Sequence, residues 1–134
     1  MALKRMTKAD HPQSLGAFKP TGHVVVAMPD DSSAAAAVRS LLARGFEHDD
    51  VLEYSAAEEG DEMDRMLQHT SEFAGFGYEL TLMRRYKALA EQGASWLIVF
   101  APDDERANLV AETAKRHGAL LAERYHRLVI EDLI

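Results

Sequence analysis

Tyr54, Arg85, Tyr86, Tyr125 and His126 are the side chains best suited to line a polar binding pocket, supplying phenols, a guanidinium and an imidazole from three separate segments. Other groupings invite chemistry and have plainer explanations. His69 and Glu72 stand three apart, a spacing that metal sites on helices use. Glu58 and Glu62 lie upstream, but a single His/Glu pair offers two ligands at most, and no metal site is assigned. Asp30-Asp31 and Asp103-Asp104 suggest paired carboxylates. Each pair sits where a strand gives way to a helix, so capping explains both. Gly75-Phe76-Gly77 precedes a helical pattern, yet position 80 is Leu and no strand comes before it, so the dinucleotide fingerprint is incomplete. A glycine hinge, able to let a helix pair move as a lid, is the expectation there.

No Ser/His/Asp order, P-loop or H-E-x-x-H run appears, and the balance leans away from an enzyme. Cysteine is absent, which excludes disulfides, thiolate metal sites and a cysteine nucleophile, and fits a reducing compartment. Nothing in the chain points to a particular cofactor. The net charge of −7 is unevenly spread. Residues 1–21 carry Lys4, Arg5, Lys8 and Lys19 against Asp10 alone, so the remainder is more acidic than the whole. Such a body repels phosphate backbones, and no nucleic-acid partner is expected. Nine acids crowd between Glu47 and Asp64 without the calcium-loop pattern, and read as repulsion across a solvated loop. The apolar runs Val24–Met28 and Trp96–Ala101 are too short to cross a bilayer, and the basic start has no apolar core behind it. A cytoplasmic protein without a membrane partner is therefore expected.

The elements that must position these residues follow from a repeat. A chain of 134 residues suits one domain. Residues 1–21 show no sustained periodicity and read as a flexible tail, leaving a single domain over 22–134. His23–Met28 is a short β-branched strand ended by Pro29-Asp30-Asp31. Ala34, Val38, Leu41 and Leu42 then keep helical spacing as far as Gly45, and Val51–Ser55 is a second strand. The programme restarts 73 positions later with Trp96–Ala101, Pro102-Asp103-Asp104, a helix through Ala107, Val110, Ala111 and Ala114, and Gly118. At that offset Val26/Val99, Pro29/Pro102, Asp30/Asp103, Asp31/Asp104, Ala34/Ala107 and Gly45/Gly118 are identical. Leu120 to Ile130 supplies a last strand with a bend.

Two β-α-β units predict an α+β, ferredoxin-like sandwich: four antiparallel strands, with both helices on one face. The repeat strands 23–28 and 96–101 are then the antiparallel central pair. His23 and His126, on the first and last strands, are expected not to be direct neighbours although both can face one side. The insertion between the repeats, residues 56–94, predicts helices over 62–71 and 78–92, with a break at the glycines and a stop at Gly93. It or a second subunit must cover the open sheet face. Leu128, Val129, Ile130, Leu133 and Ile134 make the chain end apolar, which predicts a homodimer.

His23–Asp31, the Ala-rich helix, Leu41-Leu42, Arg44-Gly45-Phe46 and Asp49-Asp50-Val51 together resemble the small β-α-β modules of bacterial general-stress and heat-induced proteins. The likeness covers residues 23–55. It implies the fold and a bacterial cytoplasmic setting, and carries over no site residue. The expectation is a non-enzymatic, stress-related or regulatory module that acts by self-association or small-ligand binding. The alternative is a small enzyme or ligand sensor with its pocket between the sheet and the inserted helices.

Overall fold

A computed structural model of the chain describes residues 5, 13–14, 17–18, 21–55, 77–126 and 129–134. In chain order the elements are β1 (Gln13–Ser14), β2 (Ala17–Phe18), β3 (His23–Met28), α1 (Asp31–Ala43), a 3-10 turn (His48–Asp50), β4 (Val51–Tyr54), α2 (Gly77–Glu91), β5 (Ser95–Phe100), α3 (Asp104–Arg116), β6 (Leu121–Tyr125) and β7 (Ile130–Asp132). Strands β1 and β2 form a small antiparallel ribbon of their own. The other five make one antiparallel sheet in the order β4-β5-β3-β6-β7.

The repeat strands β3 and β5 are adjacent and antiparallel. Their register sets Val25 opposite Ile98, the residue 73 positions on, and Val24 and Val26 face Val99 and Leu97 symmetrically about that pair. Two expectations need correction. The sheet has five strands rather than four, because the chain end turns back as β7 on the outside of β6. The apolar stretch from Leu120 is thus a hairpin and not a bent strand. Also, β3 pairs directly with β6, Val24 against Arg124, so the strand bearing His23 and the strand that ends just before His126 are neighbours after all.

Local chemistry sets the ends of α1 and α3 alike. The Asp30 carboxylate accepts the Ser33 N–H at 2.7 Å, and that bond holds Asp30 below the ordinary carboxylate range. The Asp103 carboxylate accepts the Arg106 N–H at 2.8 Å in the equivalent position. After each helix the chain leaves through a glycine with positive φ, +104° at Gly45 and +82° at Gly118. That conformation strains any residue with a Cβ. Both aspartate pairs therefore serve helix starts. Their second members are engaged too, Asp31 with Ser95 Oγ and Asp104 with Arg124 at 2.7 Å.

Strand β3 is buried along its whole length because both faces of the sheet are covered. On one face Val24, Val26, Met28, Leu97, Val99 and Ala122 pack against α1 through Ala34, Ala37 and Leu41, and against α3 through Ala107, Val110 and Ala114. On the other face Val25, Ala27, Tyr54, Trp96, Ile98, Leu121 and Tyr125 meet Tyr86, Leu89 and Ala90 of α2. The insertion thus supplies a cover for the face a bare two-layer fold would leave open. Helix α2 begins one residue before the expected boundary, and Gly93 ends it with φ of +95°. The expected helix over 62–71, with His69 and Glu72, lies outside the described residues, as do Gly75 and Phe76.

The acidic stretch is more ordered in its first part than a solvated loop would be. Asp50 is buried, accepts the Glu47 N–H at 2.8 Å, and receives the Arg5 guanidinium at 3.0 Å. Arg5 also reaches Glu47 at 3.2 Å. Glu58 to Asp64 lie outside the described residues.

Candidate functional site

Strand parity decides which side chains share the layer beneath α2. Odd positions on β3 and β6 and even positions on β4 and β5 point to that face. Tyr54, Trp96, Leu121 and Tyr125 arrive there from β4, β5 and β6, and Tyr86 descends from α2. The Tyr86 ring lies 4.9 Å from the Trp96 ring, tilted by 58°. Its hydroxyl meets the Tyr125 hydroxyl at 3.0 Å. Three of the five expected pocket residues, Tyr54, Tyr86 and Tyr125, are therefore brought together in one buried cluster.

Glu123 falls between Leu121 and Tyr125 and opposite Val25, so it belongs to the same face. Its side chain is only 1% exposed. Arg85, the fourth expected residue, approaches it at 4.0 Å, too far for a hydrogen bond, and is itself 54% exposed. Across the outer strand pair Glu123 faces Asp132. Burial, and then the nearby Asp132 charge, raise the Glu123 carboxyl to about 7, with Arg85 pulling the other way. Glu123 Oε2 and Trp96 Nε1 have no hydrogen-bond partner among the described residues. An acceptor and a donor are thus both left over in this layer, where each unmade bond is costly. A third orphan, Thr113 Oγ1, lies on α3 under the opposite face.

His126 does not join this group. It follows Tyr125 on the opposite parity, and its Nε2 lies 2.8 Å from Glu131 Oε1. With Thr21, Gly22, Ala101, Pro102, Arg124 and Tyr125 it lines a recess of about 120 Å³ at the strand ends, which Tyr125 shares with the buried cluster. Arg124 is held there by Asp104, whose carboxyl that guanidinium keeps below the ordinary range. His23 also stands apart from it, facing the α2 side, with Nδ1 3.0 Å from Thr21 O and its ring against Phe100. His117 contacts Ser40 Oγ through Nε2 at 3.0 Å and ties α3 to α1.

No group of three or more His, Asp or Glu side chains among the described residues is placed to hold a metal ion. No helix among them is long and apolar enough to cross a membrane. Set against known protein families, curated proteins and solved structures, the chain finds no match.

Proposed function

We propose that the chain is a small non-enzymatic binding module on a duplicated, ferredoxin-like sheet, and that its ligand is a small molecule seated between the sheet and α2. The observation that carries this reading is the pair of orphaned buried atoms, Glu123 Oε2 and Trp96 Nε1, among the stacked aromatic side chains of that layer. The strand order and the self-equivalent Val25/Ile98 register support the duplicated fold. The resemblance of residues 23–55 supports a bacterial, cytoplasmic, stress-related setting and is silent on the ligand.

A thermal-shift screen over nucleotides, divalent metals, small acids, small amines and neutral amides tests the ligand reading, because a binder of the folded state raises the melting temperature by mass action. At least one class is expected to raise it in the wild type and to lose that effect in Glu123→Gln or Trp96→Phe. A hit unaffected by both substitutions places the ligand elsewhere and defeats the reading.

Self-association is a second reading, favoured by the exposed Leu120 (44%), Val129 (62%) and Ile134 (37%). Ile130 and Leu133 pack within the chain, so only part of the apolar end needs a partner. Strand β7 is one of the two edge strands of the sheet, and its outer edge, paired with no other strand among the described residues, offers a two-fold pairing surface. A homodimer should sediment at micromolar concentration with about twice the 14.9 kDa chain mass. A single species of chain mass removes this reading.

A further inference from the structure

The chemistry around Glu123 also selects among ligand classes. Its side chain is buried, and Oε2 has no hydrogen-bond partner among the described residues. The groups facing it come from every neighbouring element. Asp132 stands opposite on β7, and Tyr125 lies two positions along β6. Arg85 approaches from α2 beside Tyr86, and His23 lies on β3 two residues from the paired Val25. Two carboxyl groups thus meet one cation that is half in water and beyond hydrogen-bond distance. Tyr125 shares that face of the sheet, and the whole chain carries a net charge of −7.

Resting on the ligand site proposed above, we propose that Glu123 receives an organic cation, a primary ammonium on a small apolar body. An ammonium supplies the donors that Oε2 lacks and offsets the repulsion from Asp132. The negative field of the molecule draws cations inward. An anion would have to settle beside both carboxyl groups, relying on a guanidinium that bulk water already screens. The raised Glu123 carboxyl fits an ionised form that lacks its counter-charge.

The test is isothermal calorimetry of the full chain with n-butylammonium, n-butyramide and n-butyrate at pH 6 and pH 8. n-Butylammonium stays charged at both, so its pH dependence reports the protein. It is expected to bind at pH 8 and about tenfold more weakly at pH 6, where Glu123 is mostly protonated. Glu123→Gln should lose binding at least tenfold together with the pH dependence, its fold checked by circular dichroism. Preference for butyrate or butyramide, or butylammonium binding that ignores Glu123→Gln, overturns the cation assignment. If the broader screen still finds a ligand sensitive to Glu123→Gln or Trp96→Phe, the site stands and only its chemical class is wrong. If no class binds, both fall together.

Discussion

At pH 8 Glu123→Gln is expected to be more stable than the wild type by up to about 3 kcal/mol, and near pH 4 the two should melt together. The carboxyl rises from an ordinary 4.5 to about 7 on folding, so the folded state binds its proton more tightly than the unfolded state does. Below about 4.5 both states carry the proton and the group is neutral in its effect. Between about 4.5 and 7 the unfolded chain ionises first, and wild-type stability falls relative to the variant. Above about 7 both are ionised and the full penalty is in place. Glutamine keeps the shape without the charge, so subtracting the two denaturation profiles isolates this group from every other carboxyl. A stability difference that does not change with pH would show that Glu123 is ionised at ordinary cost.

Tyr86→Ala should cost about 3–5 kcal/mol, the range for emptying a fully buried aromatic position. Tyr86 is completely buried and joins α2 to the sheet, with its ring on Trp96 and its hydroxyl on Tyr125. The loss should be local before it is global. Hydrogen exchange is expected to speed up along α2 while the β3–β5 centre and α1 with α3 stay protected, since that layer has its own core. Uniform acceleration across both layers would show that the two faces of the sheet unfold as one unit. Tyr86→Phe keeps the ring and should cost only about 1 kcal/mol, which separates packing from the hydroxyl contact.

Features with short-range causes were the legible ones. Asp30, Asp103, Gly45 and Gly118 mark helix ends because capping and positive φ are demands of the local backbone. The β3–β5 pairing was accessible because duplication turns a long-range contact into a sequence comparison. Helix α2 showed in the spacing of Leu82, Arg85 and Leu89, but which face it would cover did not, since nothing local to the helix carries that information. Tyr54, Tyr86 and Tyr125 stood out as polar aromatic side chains, and Arg85 with them. His126 adjoins Tyr125 in sequence, but alternation turns it to the opposite parity, where it meets Glu131. Glu123 escaped notice, although a signal was present. Alternation through Leu121 and Tyr125 puts a charged residue at a position where only apolar ones belong. Strand β7 gave no pattern at all, being three residues with two acids among them.

The sheet order bears on how the chain can be made. Strand β3 has no partner among the residues that immediately follow it, for β5 lies between it and β4, and its other neighbour is β6. A ribosome that has delivered α1 and β4 has therefore produced a strand of six buried-type residues with nothing to pair against. Its first hydrogen-bonded neighbour emerges only with Ser95 to Phe100. Until then the Ala-rich face of α1 is the nearest shelter for one side of it. Sheet formation in this protein thus waits for β5, and the half-made chain is the stage most exposed to aggregation and to chaperones.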